Sequence, residues 1–129
     1  MASFQPFLTA GGWAKTEEGW YIECLIRSRC GENFIQFDVE LGELRTIEIS
    51  YLKDQWVPAN MTLHVNSLEG DHEASWFFET TEEIGLPEVV KNAMFKLPLA
   101  APLGPYRLTF QMKIAREWNK HKLLGISSC

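Results

Sequence analysis

Residues 35–51 read IQFDVELGELRTIEISY. Ile35, Phe37, Val39 and Leu41 alternate with Gln36, Asp38 and Glu40. Beyond Gly42-Glu43-Leu44, Ile47, Ile49 and Tyr51 alternate with Thr46, Glu48 and Ser50. Side chains of a strand point to opposite faces with period two, so each run is a strand with one buried and one wet face. The short break predicts a hairpin in which Val39 pairs with Ile47, Phe37 with Ile49 and Ile35 with Tyr51. A shift of one residue would bury Asp38 and Glu48, so the register of the hairpin is strongly specified. In this register Asp38 and Glu48 face each other on the outer side.

Other stretches repeat the pattern. Trp20, Ile22, Cys24 and Ile26 alternate with Tyr21, Glu23, Leu25 and Arg27, and Tyr106, Leu108, Phe110, Met112 and Ile114 alternate with Arg107, Thr109, Gln111 and Lys113. Phe4 to Leu8 is a candidate edge strand, because Pro6 cannot donate to a central ladder. Met61, Leu63 and Val65 start a strand that turns at Leu68-Glu69-Gly70-Asp71. The return carries consecutive Trp76, Phe77 and Phe78, which predicts burial on both faces. One short α-helix is expected near residues 87–97: Pro87 suits a first helical turn, and Val90, Ala93, Met94 and Leu97 follow helical spacing up to Pro98. The expected fold is a mainly β, antiparallel β-sandwich of seven to eight strands, immunoglobulin-like or jelly-roll-like, forming a single domain over residues 1–129.

The chain of 129 residues is 46% hydrophobic and 22% charged, ordinary for a globular core that needs neither metal nor disulfide staples. The amino terminus has no basic n-region or long apolar run, and Met94 to Tyr106 is interrupted by prolines, so neither a signal peptide nor a membrane span is expected. Three cysteines, Cys24, Cys30 and Cys129, lack a metal-binding or disulfide-framework spacing. The expected compartment is the cytoplasm.

Charge is segregated. From Met61 to Val90 there are seven acids and no Lys or Arg, whereas Lys91 to Cys129 has seven bases against the single acid Glu117. Such polarity steers association or complements itself within a fold. The turn around Arg116, Trp118, Lys120 and Lys122 sets an aromatic among cations, a candidate anchor for an acidic protein. Nucleic acid is disfavoured, since the net charge is −5 and no second basic-aromatic strip accompanies the turn.

His64 and His72 with Glu69, Asp71 and Glu73 make the most metal-like cluster, but without an established ligand spacing, and no metal or other cofactor is assigned. No G-x-S-x-G, phosphate loop or H-E-x-x-H occurs, so no catalytic residues are assigned. Cys30 lies near Arg27 and Arg29 without a neighbouring histidine to act as base. The Gly104-Pro105-Tyr106 start of a long strand resembles late strands of immunoglobulin-like sandwiches. Gly11-Gly12-Trp13 resembles the G-x-W of lipocalin-like barrels, though the expected helix sits elsewhere.

The sequence therefore reads as a non-enzymatic protein-interaction module (adaptor, immunity or accessory protein), with a homo-oligomer as one form of partnership. Trp13, Trp56 and Trp118 are candidate interface aromatics. The alternative is a small-ligand or carbohydrate-binding β domain with an aromatic-lined cleft near Trp13 or Trp76.

Overall fold

The computed structural model describes residues 5–24, 33–53, 60–79, 89–113 and 119–129. Their strands are β1 (Leu8–Ala10), β2 (Ala14–Lys15), β3 (Trp20–Cys24), β4 (Phe34–Leu41), β5 (Thr46–Lys53), β6 (Asn60–Ser67), β7 (Glu73–Glu79), β8 (Val89–Lys96), β9 (Gly104–Lys113) and β10 (Asn119–Ser128). They form two five-stranded antiparallel sheets. The first has the order β1-β4-β9-β6-β7 and the second β2-β3-β10-β5-β8. From β3 onward the pairings nest: β3 with β10, β4 with β9, β5 with β8 and β6 with β7.

The period-two residues supply the core. Ile35, Phe37, Val39 and Leu41 from β4, and Tyr106, Leu108, Phe110 and Met112 from β9, are buried in the same cluster as Ile22, Ile47, Ile49, Leu123 and Ile126 of the second sheet. Met61, Leu63 and Val65 join them from β6, as expected. Each large apolar side chain removed from water in this way contributes about 1.5–3 kcal/mol before the entropy of ordering is subtracted. Phe37 and Phe110 meet edge to face with ring centroids 6.1 Å apart.

The expected pairing of the two runs in residues 35–51 is overturned. β4 pairs with β1 and β9, whereas β5 pairs with β10 and β8, so the two strands lie in different sheets. The bend between them is a short arch in which the Arg45 N–H donates to Gly42 O at 3.0 Å and Arg45 takes a φ of 55°. Both apolar faces still turn inward, because alternation specifies the face but not the lateral neighbour. Asp38 and Glu48 are accordingly not opposed. Asp38 lies across from Arg107 on β9, and Glu48 lies between Ser127 and Met94.

The expected helix is also replaced. Residues 89–96 form the edge strand β8, paired with β5 from Lys53↔Val89 to Thr46↔Lys96. Ala93 and Phe95 pack on the core and Leu97 is buried, while Val90 and Met94 are exposed. The helical template used Met94 and left out Phe95, the residue that packs inward. Residues 87 and 88 lie outside the described part. The ten strands exceed the expected seven to eight because β2 adds a short edge and β8 takes the place of the expected helix; the first edge strand is Leu8–Ala10, and Phe4 lies outside the described residues.

Asn33 and Gly11 anchor the β1 edge. Asn33 is completely buried, and a Cβ on Gly11 would stand 2.4 Å from the Asn33 Cβ. Gly11 also has a φ of 83°, so both space and backbone require glycine there.

Candidate functional site

The outer face of the first sheet differs from an ordinary solvated surface. Its three central strands carry mainly uncharged polar side chains at their outward positions. Register places Gln36, Thr109, His64 and Ser75 in one row across β4, β9, β6 and β7. Gln111, Thr62 and Phe77 form a second row, and Asp38, Arg107, Asn66 and Glu73 a third. The inward neighbours of these residues fill the core, so the backbone beneath the face is held by both sheets.

Hydrogen bonds order the rows. Gln36 Nε2 donates to Thr109 Oγ1 at 3.1 Å. His64 Nδ1 lies 2.8 Å from Ser75 Oγ. Arg107 donates through Nε to Asp38 Oδ1 at 2.9 Å and through Nη2 to Asp38 Oδ2 at 3.2 Å, a bidentate fork. The hydrogen bond donated to Asp38 raises the Arg107 pKa above its already high ordinary value, and burial opposes the shift. Amide, hydroxyl and imidazole groups each combine or exchange donor and acceptor roles, which matches ligands rich in hydroxyls.

Two phenylalanines border this polar field. Phe77, expected to be buried, is 55% exposed, because register points Trp76 inward opposite Leu63 and Phe77 outward opposite Thr62. Phe7 lies next to the β1 edge, its N–H donating to Gln36 O at 2.6 Å. The Arg107 Cζ stands 3.7 Å from the Phe7 ring centroid.

The outer face of the second sheet is different in character. Val90 and Met94 are exposed on β8, and Ser50 donates to Asn92 Oδ1 at 2.5 Å. Tyr21 donates to Glu23 on β3. Lys122 belongs to this face, with Nζ 3.7 Å from Glu18 Oε2 and 5.9 Å from the centre of the Tyr21 ring.

The residues expected to bind a protein partner are only partly placed. Arg116 and Trp118 lie outside the described residues, as do Trp56 and Cys30. Lys120 belongs to β10 by its backbone, opposite Glu23. Trp13 is buried in the core, and Trp76 packs against Phe95 with centroids 5.0 Å apart, so both serve the interior. His64 is engaged with Ser75. Among the described residues no group of three or more His, Cys, Asp or Glu gathers as a metal site, and no helix is long and apolar enough to cross a membrane.

Sequence reasoning missed Gln36, Thr62, Thr109, Gln111 and Phe77 as candidates. The available signal was the choice of uncharged polar groups at outward positions of β4, β6 and β9, where Lys and Glu would have sufficed for solubility.

The sequence matches no protein-family description, and no curated protein matches it either. Solved structures do share the fold. The carbohydrate-binding module TmCBM61, in complex with β-1,4-galactotriose, matches with a TM-score of 0.51 at 16% identity, over 83% of this chain and 66% of that one, just under two thirds of its length. A CBM4 structure matches with a TM-score of 0.57 at 9% identity, over 93% of this chain and 75% of that one. Xylanase10C from Cellvibrio japonicus, in complex with xylopentaose, matches with a TM-score of 0.55 at 8% identity, over 89% of this chain and 24% of that one. At these identities the likeness is one of fold alone.

Proposed function

We propose that this chain is a non-catalytic carbohydrate-binding β domain of jelly-roll-like arrangement, with the outer face of its first sheet as the glycan site. The observation that carries the proposal is that face: donor and acceptor side chains set in register on a rigid sheet, with Phe77 exposed among them. A pyranose presents adjacent hydroxyls at its rim and a C–H surface on its ring. Rows such as Gln36–Thr109 and His64–Ser75 suit the rim, and Phe77 suits the ring surface. The nested pairing of β3 through β10 supports the jelly-roll-like form over the immunoglobulin-like one. The fold likeness to carbohydrate-binding modules supports the same reading.

Purified protein on a glycan array, followed by calorimetric titration with β-1,4-galactotriose and xylopentaose, tests the proposal. Gln36→Ala and His64→Ala should each weaken binding by about five- to tenfold, the worth of one lost hydrogen-bonding partner. The substitution Met94→Ala, on the other sheet, should leave affinity unchanged. If no glycan binds, and charge reversal at Arg116, Lys120 and Lys122 instead disrupts a protein complex, the proposal is rejected in favour of a protein partner.

A further inference from the structure

Phe7 is 57% exposed, yet one side of its ring is occupied by Arg107. The guanidinium is planar and is forked onto Asp38 through two hydrogen bonds, so its plane cannot turn freely beneath the ring. β1 contributes only the ladder pairs Leu8↔Gln36, Thr9↔Ile35 and Ala10↔Phe34, and Phe7 precedes them. A three-residue edge strand gives little rigidity by itself. The Asp38–Arg107 pair supplies what the short strand lacks, a fixed seat for the ring above the outer face of the first sheet.

This seat is well separated from Phe77. Arg107 is across from Asn66, Asn66 is across from Glu73, and Phe77 lies four residues further along β7. Two strand spacings across and four residues along put the Arg107 and Phe77 backbones roughly 16 Å apart on ordinary sheet dimensions. That is several times the width of one sugar ring. Between them lie Gln36–Thr109 and His64–Ser75. Arg107 is neutralised by Asp38, and Glu40 and Glu73 border the field, which disfavours a carboxylate-bearing glycan.

We infer that Phe7, seated by the Arg107–Asp38 pair, is a second aromatic platform on the face that carries Phe77, so that the site takes a neutral oligosaccharide running across the sheet rather than a single terminal sugar. The inference rests on the carbohydrate-binding reading. Phe7 touches the ligand, and Arg107 is a positioning residue that acts through it.

The test is a calorimetric series of neutral β-1,4-linked xylo-, gluco- and galacto-oligosaccharides from disaccharide to hexasaccharide, on wild type, Phe7→Ala, Phe7→Trp, Arg107→Leu and Arg107→Lys. Wild-type affinity should rise with chain length until both platforms are covered. Phe7→Ala should weaken the hexasaccharide by about tenfold and leave the disaccharide unchanged, the loss of one stacking contact. Arg107→Leu should give the same length-dependent loss. Arg107→Lys should restore little, because an ammonium lacks the planar fork, whereas Phe7→Trp should retain binding of the long chain. Unchanged hexasaccharide affinity in Phe7→Ala, or an equal loss at every length, overturns the inference while the carbohydrate reading stands. Absence of wild-type binding to every member of the series overturns both.

Discussion

Asn33 completes the ladder at Met112 with its side chain: Nδ2 donates to Met112 O at 2.8 Å, and Oδ1 accepts from the Met112 N–H at 2.9 Å. The carboxamide thus imitates a backbone partner where β4 has not yet begun. Asn33→Leu removes both partners of a buried peptide group and should lower unfolding free energy by about 2–4 kcal/mol. In Asn33→Asp an ionised carboxylate would lack the donor and meet the Met112 carbonyl, so it too is destabilised at neutral pH. Protonation restores the donor, and burial without a donor raises the folded pKa of the introduced acid. The Asn33→Asp deficit should therefore shrink as pH falls, measured by urea unfolding against wild type. A deficit independent of pH would contradict this pairing.

Gly11 and Gly12 offer a paired comparison. Their φ values are 83° and 97°, but a Cβ on Gly11 meets Asn33 at 2.4 Å, while one on Gly12 meets nothing within 4 Å. Gly12→Ala should cost only the backbone term, about 1–2 kcal/mol. Gly11→Ala should cost clearly more, since Asn33 is itself buried and doubly bonded. Thermal unfolding of the two variants ranks them, and an equal effect would contradict the close approach.

These two contacts show what the sequence could and could not reveal. Alternation in residues 35–51 correctly identified Ile35, Phe37, Val39, Leu41, Ile47, Ile49 and Tyr51 as inward. It mistook two strands facing each other across the core for neighbours in one sheet, because both arrangements need the same side-chain phase. The choice was made by backbone hydrogen bonds to β9 and β10, whose partners lie far along the chain. At residues 89–96, Val90, Ala93 and Met94 satisfied a helical period as well as they filled a strand, and only pairing with β5 selects the strand. The candidate face was least legible. Gln36, Thr109 and Ser75 carry no signal of their own until register brings them into one row with His64.

Tyr106 lies fully buried on β9 and donates its phenol to Pro102 O at 2.6 Å. Burial pushes the phenol above its ordinary 10.0, opposed by a hydrogen bond with Ser67 and by the Arg45 charge. The raised value means that folding favours the neutral form. Its stabilising contribution is complete below the unfolded pKa and fades as pH rises through the folded one. Tyr106→Phe should cost about 1 kcal/mol at neutral pH for the lost hydrogen bond. It should also flatten the fall of Tm above about pH 10, where the unfolded wild type ionises its exposed phenol while the folded protein keeps the buried one neutral. An alkaline profile identical to wild type would rule out this linkage.

The strand character of residues 89–96 makes opposite demands on adjacent side chains. Phe95 packs on the core and against Trp76, with ring centroids 5.0 Å apart, whereas Met94 is 67% exposed on the outer face of the second sheet. Phe95→Ala should therefore lower stability by about 2–3 kcal/mol, less than a fully buried phenylalanine because the site is partly open. Met94→Lys should change it by no more than about 0.5 kcal/mol, and the added charge on the edge strand should discourage edge-to-edge pairing of two copies. A helix over the same residues would reverse the ranking, since Met94 would share the buried face with Val90, Ala93 and Leu97 while Phe95 turned away. Chemical denaturation of the two variants decides between the periods. A larger loss for Met94→Lys than for Phe95→Ala would overturn the pairing of β8 with β5 and, with it, the edge of the second sheet.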